Sequence, residues 1–157
     1  MPPQSYQAEM ERRFAGLADR LQGWFPQARV EHIGSSAIPG AHSKGDLDIA
    51  LIVAAEALEA CVARLSAQGY QEKRGTLRTP ALCMLEWQEP GQDHALQVVA
   101  EGSEFMGLFL TFRDRLRASP PLLAAYNRLK MASAPLGEQG YRAAKAGFIE
   151  KVLGETA

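Results

Sequence analysis

Two short groups of residues in this chain have types and spacing suited to phosphate chemistry. Gly34-Ser35-Ser36 comes first, and Asp46-Leu47-Asp48 follows after a short spacer. The acidic pair opens an apolar run, Ile49-Ala50-Leu51-Ile52-Val53, which reads as a buried strand. Alternate strand residues point to one side, so Asp46 and Asp48 share a face while Leu47 points away. Two carboxylates held this close repel unless a cation sits between them. Mg2+ or Mn2+ meets that need, because such ions take hard oxygen ligands and complete their shells with water and substrate phosphates.

Gly34 lets backbone N–H groups approach a phosphate, and the hydroxyls of Ser35 and Ser36 add donors. Either serine can also cap a short helix, whose N-terminus favours an anion. Pro39-Gly40 turns the chain back, and Lys44, beside Gly45, supplies a mobile cation near the same phosphates. Taken singly, Gly-Ser-Ser is an ordinary turn and Asp-x-Asp an ordinary solvated or capping pair. Their order, spacing and following strand make the joint case for a metal and triphosphate site.

These groups need elements to hold them. Tyr6, Met10, Phe14, Leu17 and Leu21 recur at helical spacing and predict a first helix that Pro26 ends. A strand over Val30 to Ile33 leads into the Gly-Ser turn, and the Asp-x-Asp strand comes next. Ala54 to Gln68 predicts a helix that Gly69 closes. Strands are expected around Tyr70 to Lys73, Ala81 to Trp87 and His94 to Ala100, the last two joined antiparallel through Pro90-Gly91. After Gly102 the pattern turns helical: one helix capped by Ser103 runs to about Ala118, another starts at Ser119-Pro120, and a last one spans Glu138 to about Leu153. The fold class expected is α+β: a mixed sheet with helices packed on it and a helical C-terminal segment. We read residues 1–157 as one domain, with 1–102 forming the α/β core and 103–157 the helical segment.

The helical segment offers cations. Arg113 and Arg117 share a helix face and can reach a triphosphate, or else pair with Asp114 or Glu150 on a solvated face. Lys130 and Lys145 carry the same two readings. Tyr126 and Tyr141 suit either base stacking or the core. His32 suits a phosphate contact, a proton carrier, or a buried hydrogen-bonded role. Phe105 to Phe109 suits a dimer as readily as a core.

With a net charge of −1, the chain has no bulk attraction to nucleic acid, so a small-molecule or protein acceptor fits better than a long template. Cys61 and Cys83 show neither disulfide nor metal spacing and read as buried thiols of a reducing compartment. Met1-Pro2-Pro3-Gln4 lacks the basic and then apolar segments of a signal peptide, and no run reaches membrane-spanning length. The expected location is the cytoplasm.

Gly-Ser, a spacer and Asp-x-Asp on a strand resemble the signature of the nucleotidyltransferase superfamily built on the DNA polymerase β palm. His32-Ile33-Gly34-Ser35-Ser36-Ala37-Ile38-Pro39-Gly40 is similar, more narrowly, to the GrpB family. So are Phe112-Arg113-Asp114-Arg115-Leu116-Arg117, Tyr126-Asn127-Arg128-Leu129-Lys130 and Tyr141-Arg142-Ala143-Ala144-Lys145. The resemblance runs from about Val30 to Leu153. It implies a nucleotidyltransferase-like fold and keeps Arg113 and Lys145 as candidate phosphate ligands. GrpB-like domains occur alone or fused to dephospho-CoA kinase, so the family name supplies no substrate. Many members keep only the second acid of the pair; Lys44-Gly45-Asp46-Leu47-Asp48 keeps both. Active superfamily members add a third carboxylate from a neighbouring strand, and here that strand reads Ala95-Leu96-Gln97-Val98, with neutral Gln97 as the inward polar residue. Glu86, Asp93 and Glu101 are the candidate substitutes.

The expected function is metal-dependent transfer of a nucleoside monophosphate from a nucleoside triphosphate to an acceptor. Asp46 and Asp48 would be the catalytic metal ligands, and Gly34, Ser35, Ser36, Lys44, Arg113 and Lys145 the phosphate-binding set. The alternatives are a non-catalytic nucleotide-binding module that keeps the cradle, and a scaffold in which the motif is a relic of the fold.

Overall fold

The computed structural model describes residues 7–41, 47–89, 93–133 and 137–154. Lys44, Asp46, the Pro90-Gly91 turn and the side chains of Ser35 and Tyr141 lie outside the described residues. The elements run α1 (Gln7–Trp24), β1 (Arg29–Ile33), β2 (Asp48–Val53), α2 (Leu58–Ala67), β3 (Gln71–Glu72), β4 (Leu82–Trp87), β5 (His94–Ala100), α3 (Glu104–Ala118), α4 (Pro120–Ser133) and α5 (Gly137–Gly154). Short 3-10 turns stand at Ser35–Ala37 and Ala55–Ala57.

One mixed five-stranded sheet has the order β1-β2-β5-β4-β3. β2 and β5 pair in parallel at its centre, and the other neighbours are antiparallel. Strands covered on both faces read as continuous apolar runs rather than alternating ones, and β2 from Ile49 to Val53 is buried throughout. The alternation still sorts its side chains. Ile49, Leu51 and Val53 join Leu96, Val98, Cys83 and Leu85 in a core closed by Met10, Leu17 and Leu21 of α1 and by Leu58, Cys61, Val62 and Leu65 of α2. Ala50 and Ile52 join Ile33, Leu82 and Val99 on the opposite face, packed under Phe105, Met106, Phe109 and Leu110 of α3. Phe105 to Phe109 therefore contributes to a core in this fold.

A third cluster fastens the helical segment to the loop after β1. Ile38 and Ala41 of that loop pack with Leu116 and Tyr126, backed by Phe112, Leu122, Leu123 and Phe148. Tyr126 is a core residue, 1% exposed. Ser103 caps α3, its Oγ accepting from the Met106 N–H at 3.3 Å. Two boundaries differ from the sequence reading. The stretch after Ala54 first forms a 3-10 turn because Ala54 has no side chain to cap an α-helix there, and α2 begins at Leu58. β3 is only Gln71–Glu72, because Tyr70 leaves the sheet edge to bury its ring and donate or accept at His94 Nε2, 2.7 Å away. No helix among the described residues is long and apolar enough to cross a membrane.

Leu96 lies at the centre of this sheet with no exposed surface. Leu96→Ala is expected to lower unfolding stability by about 2–5 kcal/mol, because the surrounding strands cannot collapse into the vacancy. Urea denaturation followed by circular dichroism reads this directly, and a loss under about 1 kcal/mol would contradict the packing described.

Candidate functional site

The register of β1 on β2 sets Ile33 opposite Asp48. β1 ends there, so Gly34 steps off the strand directly beside the Asp48 side chain. Gly34 has φ +75°, a left-handed conformation, and a Cβ at this position would stand 2.5 Å from Asp48 Oδ2. Glycine is thus required twice, for its dihedral and for the space it leaves to the carboxylate. Parallel pairing of β2 and β5 puts Asp48 beside Ala95 and Ala50 beside Gln97, with Met84 of β4 on the far side of Gln97. Asp48, Ala50, Gln97 and Met84 belong to one face of the sheet, the one that α3 covers.

A cavity of about 350 Å³ opens between that face and the helical segment. Gly34, Asp48 and Gln97 line it on the sheet side, and Arg113 and Lys145 on the helix side. Ile33, Ile38, Met84, Phe109, Phe112 and Ile149 make its apolar walls. Its size and mixture of apolar walls with a few converging polar groups are those of a small-molecule site. A larger hollow, about 530 Å³, lies between the end of α1 and α2, and none of the motif residues lines it. We take the smaller cavity as the candidate site because the chemistry converges there.

Gln97 is 8% exposed, and its Oε1 has no hydrogen-bond partner among the described residues. A buried polar atom left without a partner costs about 1–3 kcal/mol, so such an atom in a cavity points to a ligand or water. None of Glu86, Asp93 and Glu101 lines this cavity. Glu101 lines the larger hollow, and Glu86 a separate one beside Gly69 and Trp87. Among the described residues no group of three His, Cys, Asp or Glu side chains is placed to hold a metal ion.

The turn after β1 is clamped from several directions. His32 Nε2 and Ser36 Oγ share a buried hydrogen bond of 2.8 Å. The Ser36 hydroxyl is therefore committed to fixing the turn. Arg117 Nε donates to Ala37 O at 2.9 Å, and Asn127 Nδ2 donates to Gly40 O at 3.0 Å. The amide of Gln7 donates to Ile38 O at 2.6 Å and accepts from the Gly40 N–H at 3.2 Å. His32 itself points to the opposite side of the sheet, stacked on Phe14 with ring centroids 4.9 Å apart. Burial, with the nearby charges of Arg117 and Arg113, pushes its pKa down to about 4, so it is neutral at physiological pH.

Arg113 occupies a position between structure and site. Nη1 donates to Glu31 Oε2 at 2.9 Å and to His32 O at 3.1 Å, and Nε donates to Asp114 Oδ1 at 2.9 Å. Nη2 carries no hydrogen bond to the described residues. Burial favours the neutral forms of both Arg113 and Glu31, but their hydrogen-bonded pairing outweighs it: the guanidinium pKa rises and the Glu31 pKa falls. Lys130 lies outside the cavity lining, with Nζ 4.5 Å from the centre of the Tyr126 ring. Glu31, Gln7 and Asn127, which hold the turn, were not singled out from the sequence. Glu31 had a signal, since alternation along β1 puts it on the face opposite His32.

The family model described as GrpB protein matches residues 4–155. A UPF0157 protein of Vibrio cholerae serotype O1 is 48% identical over 150 residues, covering 96% of this chain and 79% of that relative. The crystal structure of conserved protein GrpB from Enterococcus faecalis superposes with a TM-score of 0.78 at 24% identity, over 99% of this chain and 94% of that one. The Cid1 poly(U) polymerase, solved with MgGTP bound, superposes with a TM-score of 0.52 at 15% identity, over 78% of this chain and 40% of that one. These likenesses place the fold among the nucleotidyltransferases.

Two outcomes are expected from this geometry. Gly34→Ala should destabilise the fold by about 1–3 kcal/mol through backbone strain, besides forcing the Asp48 carboxylate aside; thermal unfolding reads it, and an unchanged midpoint would refute the close approach. His32 binds a proton near pH 6.5 when unfolded and near 4 when folded. The unfolded chain thus holds more protons between these values, and stability falls as pH drops from about 6.5 to 4, by a few kcal/mol at most. Denaturant titrations across that window should show a drop that His32→Gln flattens.

Proposed function

This chain belongs to the GrpB family, and we propose that it moves a nucleoside monophosphate from a nucleoside triphosphate onto an acceptor. The observation that carries this reading is the meeting of Gly34, Asp48, Gln97 and Lys145, from four separate parts of the chain, on one cavity. The donor set fits a hard divalent cation: the Asp48 carboxylate and the partnerless Gln97 amide oxygen are both hard oxygens. Asp48, with Asp46 preceding it on the chain, would hold Mg2+ or Mn2+, which when bound supplies positive charge to the phosphate oxygens and to the attacking group.

The protein's own residues then do the positioning. Gly34 leaves the Asp48 carboxylate the space it occupies at the cavity. Backbone N–H groups around Ser35 and Ser36, together with Lys44, offset the charge of the β- and γ-phosphates. Lys145 and Arg113 offer positive charge to phosphate oxygens that enter the cavity. Phe109 and Phe112 keep bulk water from the reacting centre, which strengthens each of these interactions. The chain would act as a single domain whose helical segment, 103–157, walls the site built on 1–102.

Gln97 favours a second reading. It stands on the strand from which active nucleotidyltransferases are expected to add a carboxylate, and a domain that binds nucleotide without turning it over has no need of that carboxylate.

An α-labelled nucleoside triphosphate, Mg2+ and the small-molecule fraction of a cell extract separate the two. Transfer predicts a labelled product whose rate of formation falls about 100-fold or more in Asp48→Asn. Saturable, metal-dependent nucleotide binding without any product would support the binding module. Absence of metal-dependent nucleotide binding sinks both readings.

A further inference from the structure

The side chain of Gln97 bears on what the acceptor is. A hydroxyl acceptor must lose a proton as it attacks, and a base within hydrogen-bond reach normally takes it. Among the described residues, Asp48 is the sole carboxylate lining the cavity, and no histidine lines it. Asp48 is the metal ligand of the proposed site. An amide is too weak a base to replace a carboxylate, and Arg113 does not deprotonate. His32 is spent on Ser36 and stacked on Phe14, facing the other side of the sheet.

The same substitution changes the charge. A carboxylate at 97 would share a face with Asp48, two residues along in the register of β2 and β5. Neutral Gln97 leaves Asp48 facing Lys145 and Arg113 across the cavity, the latter with its charge met by Glu31 and Asp114. Gln97 is 8% exposed with Oε1 unpartnered, so its amide is held for something the cavity takes in. Phe109 and Phe112 supply an apolar wall beside these polar groups.

We infer that the cavity takes a phosphate monoester with an apolar or aromatic body, and that this oxyanion is the acceptor. The inference rests on the nucleotidyl-transfer reading above. A phosphoryl oxygen of the monoester forms a bond to the α-phosphorus of the nucleotide. The bond from that phosphorus to the bridging oxygen of the β-phosphate breaks, and its electron pair leaves with pyrophosphate. The product is joined through a P–O–P linkage, and no proton is taken from the nucleophile, in keeping with a lining that, among the described residues, holds no carboxylate besides Asp48 and no histidine.

Phenyl phosphate and phenol, titrated into the full chain without metal, test the binding half by calorimetry. Phenyl phosphate is expected to saturate the protein and phenol to bind at least tenfold more weakly. Lys145→Met should weaken phenyl phosphate at least tenfold by removing a charged partner. Gln97→Glu, which preserves shape, should do the same by placing a carboxylate against the anion. Equal binding of phenol, or unchanged binding in both variants, would overturn the inference. The chemical half is read by 31P NMR on the product formed from α-labelled triphosphate and an extract's small-molecule fraction. A pyrophosphate-type linkage, lost when the fraction is first treated with a phosphomonoesterase, is the expected result. A phosphodiester or phosphoramidate product, or no product, would overturn it. Metal-dependent triphosphate binding that survives while phenyl phosphate fails to bind sinks this inference alone. Loss of triphosphate binding as well sinks the transfer reading beneath it.

Discussion

The backbone at Gly34 and the carboxylate of Asp48 stand so close that one added carbon would overlap. That contact follows from the pairing of Ile33 with Asp48, since β1 must end where β2 begins. It decides how the chain leaves β1 and where the Ser35–Ala37 turn lies, and it brings a charged group to the start of the apolar strand β2. The carboxylate is tolerated there because Asp48 is the first residue of β2, half-buried at a cavity mouth rather than sealed between layers.

A turn holding glycine in a left-handed conformation has little stiffness of its own. Its rigidity comes from outside, through His32 beneath it, Gln7 at the start of α1, and Arg117 and Asn127 from the helical segment. Arg113 adds a tie to the strand just before it, with Glu31 meeting its charge. Ile38 and Ala41 complete the anchoring by packing against Leu116 and Tyr126. The helical segment thus has two roles, walling the cavity and holding the turn in shape.

Much of this was legible in the sequence, for physical reasons that can be named. Strands β2, β4 and β5 announced themselves by apolar runs between turn residues, and Ser103 by its position before an amphipathic stripe. The Gly-Ser turn and Asp48 were readable because few roles need those residues in that order, and Gln97 because it interrupts an apolar strand. The fate of the cations was not readable. Arg113 had two sequence interpretations, a phosphate ligand or one half of a solvated pair with a near neighbour. In the structure it is buried and tied to Glu31, 82 positions away, as well as to Asp114. No local pattern encodes a partner that distant. Nor did the sequence separate Ser36, whose hydroxyl is committed to His32, from a serine free to meet a phosphate. That distinction depends on which way a strand residue four positions earlier faces.

The bonds from Arg113, Arg117 and Asn127 to the β1 strand end and its turn span 81, 80 and 87 positions of sequence. Contacts of that separation carry a loop-closure entropy that only the rest of the domain can repay. The catalytic-looking turn is therefore not an autonomous motif that could be grafted with its few residues. Its order is coupled to that of α3 and α4, and a fluctuation that lifts those helices loosens the turn and opens the cavity in one cooperative event. In this molecule, access to the cavity and the order of the Gly34 turn are two readings of one local unfolding equilibrium.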